Sequence, residues 1–205
     1  MKVNIQSGFL FPTQYWKTEF NENIEALKKE CYLIKNNDNE GTKKSNTGAQ
    51  GYHSKNIRSF ENIPEIKKLI NQIGNCVSSI HQLNRKGSIQ LSNFWINICG
   101  KGGSNTPHTH SGSYSGVFFI KVPKEMKGGR FLFYRNFNEA DLNSEEYMGD
   151  FKEGYKLQSY EYPIITIPPK ENTLIVFPAW VVHAVETNLS DEDRISLSFN
   201  FSVKR

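Results

Sequence analysis

Cysteine is scarce in this chain of 205 residues, which contains only three. Cys31, Cys76 and Cys99 each lie in an apolar or patterned stretch, and no two of them form a Cys-x-x-Cys pair. This spacing excludes a disulfide framework as the source of stability. We interpret the three residues as reduced core cysteines of an intracellular protein.

Long hydrophobic runs are also lacking. No segment approaches the roughly 18 consecutive apolar residues of a membrane-spanning helix. Residues 1–16 contain no uninterrupted apolar stretch of the kind that a secretory leader requires. The sequence therefore predicts a soluble, unexported protein with no membrane partner. Its expected location is the cytoplasm.

A strong charge of one sign is the third absence. The 25 Lys and Arg residues nearly balance the 21 Asp and Glu residues, and the net charge is +4. The lysines are scattered along the chain and do not align on one helix. A nucleic-acid partner is therefore not indicated. The length suits one domain that buries about 70% of its unfolded surface.

Helical periodicity is confined to the N-terminal part of the chain. Asn21 or Asn23 is expected to cap a helix that continues to about Lys35. Pro64, at a first-turn position, opens a longer amphipathic helix that ends near His81. The apolar face of this second helix must pack against another element, and the remainder of the sequence has the pattern of strands.

From Ile89 onward, apolar residues recur with a period of two, which is typical of strands. Seven or more short strands, with Gly-Gly and Pro-Pro turns between them, predict an antiparallel sandwich or jelly roll. Residues 8–20, an aromatic stretch interrupted by a proline, suit an edge strand. The helices would lie against the outside of one sheet and cover its apolar face. We therefore predict a mainly β protein with N-terminal helices.

We predict a single domain over residues 1–205, in which residues 1–85 form a helical support and residues 86–205 form the jelly-roll core. Residues 35–51 are polar and rich in turn formers, so they are either a surface insertion or a flap that orders over a ligand. Residues 136–162 interrupt the strand pattern and carry acidic residues. This insertion is either a lid over one mouth of the jelly roll or a plain surface loop.

Three of the five histidines fall in two short segments. His108 and His110 are one residue apart, so both side chains would project to the same side of an extended strand. His183 lies some seventy positions later, in a run with strand character. A jelly roll can bring such a pair and a lone partner together at one end. Three ligands on one face of an ion suit a non-haem ferrous site.

The last predicted strand separates its side chains by polarity. If its apolar face packs on the helices, Arg194 enters the interior, where an unpaired guanidinium costs several kcal/mol. The carboxylate of a small ligand would satisfy it bidentately, with Ser196 beside it as a hydroxyl donor. In the alternative, the apolar face points inward and Arg194 lies in water beside Asp191 and Asp193. The polar face consists of Arg194, Ser196, Ser198, Asn200 and Ser202, and the apolar face of Ile195, Leu197, Phe199, Phe201 and Val203.

Motifs in both halves of the chain resemble one enzyme superfamily. They are Phe9-Leu10-Phe11-Pro12, Gly48 to Ser54, Trp95-x-Asn97, Pro107-His108-Thr109-His110, Ser115-Gly116-Val117-Phe118-Phe119, Phe177-Pro178, His183 and Arg194-Ile195-Ser196-x-Ser198-Phe199-Asn200. Together they resemble the Fe(II)- and 2-oxoglutarate-dependent oxygenases, and within them a group from bacteria and phages with His-x-His and Ser-Gly-Val-aromatic motifs. His53 matches that group's Gly-Trp-His-Ser turn, where a structural hydrogen bond is its expected role.

The resemblance implies a fold, a metal and a cosubstrate. The fold would be a double-stranded β-helix, the cupin-like form of the jelly roll. Fe(II) would bind to His108, His110 and His183. The distal carboxylate of 2-oxoglutarate would bind to Arg194 and Ser196. No catalytic residue is expected beyond the metal site.

The sequence departs from the superfamily's pattern at two places that bear on the site. Most members have Asp or Glu where His110 stands, so either three imidazoles hold the ion or a carboxylate from elsewhere completes the set. Phe118 and Phe119 replace two tyrosines of the group. This replacement shifts contacts with the cosubstrate toward Asn97 or Tyr114.

We therefore interpret the protein as a non-haem Fe(II)- and 2-oxoglutarate-dependent dioxygenase that hydroxylates an unidentified substrate and releases succinate and CO2. Its expected partners are the small-molecule cosubstrate and a primary substrate, and a homodimer is left open. Two alternatives stand beside this interpretation. One is a cupin-type metalloprotein that does not use 2-oxoglutarate. The other is a non-catalytic jelly-roll binding or structural module in which the histidines are incidental.

Overall fold

The computed structural model describes residues 13–38, 51–135 and 164–204. Most of the polar stretch 35–51 and all of the predicted insertion 136–162 lie outside these ranges. Neither described helix combines the length and the hydrophobicity that crossing a membrane requires. The elements in chain order are β1 (Trp16–Glu19), α1 (Ile24–Asn37), β2 (Gly51–His53), α2 (Pro64–Asn84), β3 (Ile89–Cys99), β4 (Asn105–His108), β5 (Tyr114–Lys121), β6 (Phe131–Tyr134), β7 (Ile164–Ile167), β8 (Thr173–Pro178), β9 (His183–Val185) and β10 (Arg194–Val203).

The strands form two sheets that face each other. The six-stranded sheet has the order β1-β8-β5-β10-β3-β2, and the four-stranded sheet has the order β4-β9-β6-β7. All pairings between these strands are antiparallel. The predicted mainly β jelly roll is confirmed, and β1 is an edge strand as expected. The apolar residues between the sheets are Val117, Phe119, Phe131, Phe133, Ile167, Ile175, Phe177 and Val181.

Both helices cover the outer face of the six-stranded sheet. The prediction that the N-terminal helices lie against one sheet is thereby confirmed. Because the helices bury this face, the opposite face of the sheet is left to line the space between the sheets. The main contributors to the outer core are Leu27, Cys31, Ile66, Leu69, Ile73 and Val77 from the helices, and Phe94, Ile96, Phe118, Leu197 and Phe199 from the strands.

Strand β10 lies between β5 and β3, at the centre of the large sheet. Ile195 and Leu197 pack into the outer core with the helices, and both are fully buried. Arg194 and Ser196, which alternate with them, consequently point to the space between the sheets. Arg194 is only 3% exposed, so the alternative in which it lies in water does not hold.

The helices begin where predicted and end slightly later. The side chain of Asn23 caps α1 by accepting a main-chain N–H of the first turn at 3.2 Å. The sequence predicts helix ends near Lys35 and His81, whereas α1 continues through Asn37 and α2 through Asn84. Neither added stretch contains proline or glycine, so nothing in it stops the helix earlier.

The N-terminus of α2 is capped by a carboxylate that belongs to α1. Glu30 is 8% exposed, and its two oxygens accept the main-chain N–H groups of Glu65 and Ile66 at 3.0 and 2.8 Å. Ile63, at the N-cap position itself, provides no side-chain hydrogen bond. Glu30 therefore satisfies two otherwise unpaired donors and places a negative charge at the positive end of the helix dipole.

We expect Glu30→Ala to lower the free energy of unfolding by about 2 kcal/mol, because one buried and one partly buried N–H group lose their acceptors. Glu30→Gln keeps one acceptor and should lose less. Glu25→Ala is the matched control, since Glu25 lies on the same helix but its side chain is 83% exposed and pairs with Lys28. Urea denaturation measures the differences. Equal effects of Glu30→Ala and Glu25→Ala would contradict the capping role.

Candidate active site

Three imidazoles converge at one end of the cavity between the sheets. Strand β4 ends at His108 and β9 begins at His183, and these two residues are paired across the ladder. His110 lies two residues beyond the end of β4, where its main-chain N–H donates to the carbonyl of Ala179 at 2.9 Å. The three ring nitrogens that could hold a metal ion all lie within 4.8 Å of one another.

The sequence predicts that His108 and His110 lie side by side on one strand. In the structure they do not. The chain leaves β4 at His108 and bends through a loop in which Gly112 has a φ of +110°, a conformation that favours glycine. The two rings are nearly perpendicular, with centroids 4.9 Å apart and an interplanar angle of 84°. The pair therefore approaches the centre of the cluster from two directions.

Main-chain carbonyls orient two of the three imidazoles. Nδ1 of His108 lies 2.7 Å from the carbonyl oxygen of Thr106, and Nδ1 of His183 lies 2.9 Å from that of Val181. A carbonyl oxygen can only accept a hydrogen bond, so each Nδ1 must be the protonated nitrogen. The Nε2 atom of each neutral ring consequently carries the lone pair, which is the state required of a metal ligand.

Burial keeps the deeper imidazoles uncharged. The pKa of His183 is lowered to about 3 and that of His110 to about 4, mainly by burial and to a smaller extent by the neighbouring imidazoles. No carboxylate joins the three histidines within the described ranges. The donor set is therefore three neutral imidazole nitrogens, which suit iron, zinc, copper or nickel.

A buried arginine lines the same cavity. The guanidinium of Arg194 lies over the ring of Phe119, 5.3 Å from its centroid. Among the described residues it forms no ion pair, and its Nε atom has no hydrogen-bond partner. Burial lowers the pKa of Arg194 from its ordinary value, but a guanidinium does not lose its proton at physiological pH. A buried cation without a counter-charge is costly, and an anionic ligand would remove that cost.

The cavity connects the histidines with the arginine. Trp95 packs against His110, with ring centroids 5.3 Å apart, and Cys99 stands directly opposite Arg194 in the ladder between β3 and β10. At about 3.3 Å per residue, these two positions of β3 are about 13 Å apart. The histidine cluster and the guanidinium therefore line one cavity from its two ends.

Polar groups line the middle of this cavity, and aromatic and aliphatic groups form its walls. The amide of Asn97 donates to the hydroxyl of Ser198 at 3.1 Å. Asn97 and Ser196, both predicted as cosubstrate contacts, line the cavity with Arg194. The other lining residues include Ser104, Asn105, Ser115, Val117, Phe131, Phe177 and Val185.

Tyr114, the remaining predicted contact, lies on the opposite face of the sheet. Its hydroxyl is 3.1 Å from Nδ1 of His81 on α2, and the two rings pack edge to face. The following residue, Ser115, points to the cavity instead. This placement corrects the prediction for Tyr114. Adjacent residues of a strand face opposite sides of the sheet, and Tyr114 faces the side that the helices cover. His81 thus has a structural role, hydrogen-bonded to Tyr114 and to the carbonyl of Lys86.

Sequence reasoning assigned no role in the site to Trp95, Cys99 or Phe131, all of which line the cavity. The alternating pattern of β3 could have identified the first two, since they share a face with Asn97. Phe131 comes from the other sheet, and nothing in its local sequence indicates that its ring lies 5.6 Å from that of His183.

Several solved structures share this fold. A prolyl-4-hydroxylase from Pseudomonas putida is similar with a TM-score of 0.61 and 12% identity, over 94% of this chain and 94% of that one. HygX from Streptomyces hygroscopicus, solved with nickel and 2-oxoglutarate, gives 0.63 and 9%, over 94% and 84%. The viral collagen prolyl hydroxylase vCPH from Paramecium Bursaria Chlorella virus-1 gives 0.59 and 13%, over 92% and 96%. The fold is therefore the double-stranded β-helix of these oxygenases.

The family is shown by the sequence itself. Residues 93–200, more than half of the chain, match the family described as "Putative 2OG-Fe(II) oxygenase". The chain belongs to this family of 2OG-Fe(II) oxygenases and is an enzyme of that class. The matched segment runs from β3 to β10 and contains His108, His110, His183 and Arg194. A search of curated proteins finds no match.

Proposed function

We propose that this chain binds Fe(II) through His108, His110 and His183, binds 2-oxoglutarate through Arg194, and hydroxylates a C–H bond of a primary substrate. When both are bound, Fe(II) and 2-oxoglutarate activate O2, and conversion of the cosubstrate to succinate and CO2 supplies the oxidising power for the hydroxylation. The residues of this chain bind, orient and shield the two groups.

The observation that carries the proposal is the buried, unpaired guanidinium in the same cavity as the three imidazoles. A carboxylate on Arg194 would provide the missing counter-charge and could accept two parallel hydrogen bonds from the guanidinium. This argument favours 2-oxoglutarate over a cupin-type site without a cosubstrate, because such a site gives the arginine no partner. It also favours an enzyme over a binding module with incidental histidines.

Other cavity residues would hold the cosubstrate in one orientation. Ser196 is two positions after Arg194 on the same face of β10 and offers a hydroxyl beside the guanidinium. Asn97 is the direct neighbour of Ser196 on β3, and its amide is already oriented by Ser198. The rings of Phe131 and Phe177 form an apolar wall beside His183, with centroids 5.6 and 4.7 Å from its ring. This wall would exclude water from the reacting atoms.

Hydrogen bonding prepares two of the three histidines for the ion. His108 and His183 already have the tautomer that places a lone pair on Nε2, because their Nδ1 atoms donate to carbonyls. Both Nε2 atoms are therefore ready to coordinate. Three neutral ligands leave the charge of the ion uncompensated by the protein, so an anionic cosubstrate would also be favoured at the metal.

An anaerobic absorption spectrum tests the proposal. We expect a visible charge-transfer band when the protein contains both Fe(II) and 2-oxoglutarate, and no band when either is left out. Protein loaded with Zn(II) is the matched control, since Zn(II) has a filled d shell and should give no band with the same cosubstrate.

Each rival has its own result in this experiment. Fe(II) binding without a band on addition of 2-oxoglutarate would indicate the cupin-type metalloprotein. A protein that binds neither Fe(II) nor Zn(II) stoichiometrically would contradict the metal site altogether.

A further inference from the structure

One of the three clustered histidines lacks the support that the other two have. His108 and His183 are each oriented by a hydrogen bond from Nδ1 to a main-chain carbonyl. The ring of His110 makes no hydrogen bond within the part of the chain that the structure describes. A ligand whose ring is free to rotate binds a metal ion less tightly, since the rotation must be frozen on binding. A ring contact therefore remains as the means of orienting His110.

That contact is the indole ring of Trp95. The centroids of the two rings are 5.3 Å apart, and the indole lies at 60° to the imidazole. Trp95 is itself backed by His53, whose ring stacks on it at 5.5 Å and 15°. The three rings thus form a continuous row from the edge strand β2, across β3, to the histidine cluster.

The outer end of this row is fixed to the sheet by hydrogen bonds. Nδ1 of His53 donates to the carbonyl of Ser54 at 2.7 Å. Ser54 is bound twice to Ile96, the neighbour of Trp95: its N–H donates to the Ile96 carbonyl at 3.0 Å, and its hydroxyl accepts the Ile96 N–H at 3.0 Å. The end of β2 that carries His53 is therefore clamped to the strand that carries Trp95.

We propose that His53 and Trp95 are positioning residues for His110: their stacked rings do for this ligand what main-chain carbonyls do for His108 and His183. The inference rests on the proposed function, because it concerns the readiness of His110 to bind the metal ion. It also gives a role to the Gly51-Tyr52-His53-Ser54 motif, which the cluster itself does not explain. His53 acts through Trp95 and is not a ligand.

The test measures metal affinity directly. Zn(II) and anaerobic Fe(II) are titrated calorimetrically into the wild type, His53→Ala and Trp95→Leu, and the visible spectrum of the Co(II)-loaded proteins reports the ligand geometry. We expect both variants to bind the ions about 10-fold more weakly, as is typical when a group that orients a ligand is removed. Their Co(II) spectra should differ from that of the wild type. His53→Phe keeps a stacking ring and should restore most of the affinity.

The opposite face of β3 provides a matched control. Phe60 stacks on Phe94 at 5.4 Å and 12°, nearly the geometry of His53 on Trp95, but this pair packs against the helices. Phe60→Ala and Phe94→Leu should lower the thermal stability and leave the metal affinity within about twofold of the wild type. If Trp95→Leu does not fold, His53→Ala and His53→Phe decide the question, since His53 is only half-buried.

The possible results separate this inference from the proposed function. A wild type that binds no metal refutes the proposed function. A wild type that binds metal, with unchanged affinity and Co(II) spectrum in both His53→Ala and Trp95→Leu, refutes the positioning role alone. Equal losses of affinity in the control pair and in the His53 and Trp95 variants would also refute it, because the effect would then be one of general stability.

Discussion

His183→Ala is expected to abolish stoichiometric Fe(II) binding. His183 is the most buried of the three clustered histidines, and its Nε2 atom is directed by the hydrogen bond from Nδ1 to the Val181 carbonyl. Alanine removes this ligand and leaves two nitrogens, so the loss of affinity should exceed the roughly 100-fold loss caused by removing a group that only orients a ligand. Anaerobic titration with Fe(II), and then metal analysis after desalting, measures the effect.

A buried histidine outside the cluster serves as the control for this variant. His81 is as buried as His183, but its ring lies on the helical side of the sheet, bonded to Tyr114 and to the carbonyl of Lys86. His81→Gln should reduce stability and retain one equivalent of Fe(II). If His183→Ala retained the metal with wild-type affinity, a different ligand set would have to hold it, and the proposed centre would be wrong.

Arg194→Met is expected to have opposite effects on the free and the cosubstrate-bound protein. Methionine removes an unpaired buried cation at similar volume, so the protein without cosubstrate should become more stable, by about 1 kcal/mol or more. The same change removes the counter-charge for a carboxylate, and 2-oxoglutarate should bind about 100-fold more weakly or not at all. Fe(II) binding should be unchanged, because Arg194 lies at the other end of the cavity.

Thermal unfolding with and without 2-oxoglutarate, in the presence of Zn(II), measures both effects together. The wild type should be stabilised by the cosubstrate and the variant should not. Arg130→Met is the matched control, because Arg130 is exposed and paired with Glu186. Its removal should have little effect on the unfolding temperature of the free protein or on the increase in that temperature with 2-oxoglutarate. If Arg194→Met bound 2-oxoglutarate with wild-type affinity, the carboxylate would have to bind at a site other than Arg194.

The faces of β10 show how far alternation alone can go. The period of two separates Arg194 and Ser196 from Ile195 and Leu197, and this separation is correct in the structure. The pattern does not say which face is inside, since a sheet covered on both sides has two interiors. Packing of the helices on the apolar face made the other face the lining of the cavity, and this decided the environment of Arg194.

The two corrections have a related cause. Tyr114 is next to Ser115, and only the position of the helices shows that the tyrosine faces them and the serine faces the cavity. The His108-x-His110 spacing indicates a pair with a shared target, but the strand ends at His108. His110 is held instead by the hydrogen bond from its main-chain N–H to the carbonyl of Ala179, a residue about seventy positions later in the chain. Local sequence patterns cannot predict contacts between residues that are far apart in the chain.

The sequence by itself determined the two helices, most of the strands, the separation of polar from apolar faces and the three histidines that belong together, because these properties depend on residues only a few positions apart or on motifs of a family. Tertiary structure alone decided that Trp95 lies beside His110 with His53 behind it, that Glu30 caps a helix other than its own and that Arg194 has no ion-pair partner among the described residues. The physical reason is that hydrogen bonding, stacking and desolvation depend on distances in space. Those distances exist only after remote strands and helices have packed together.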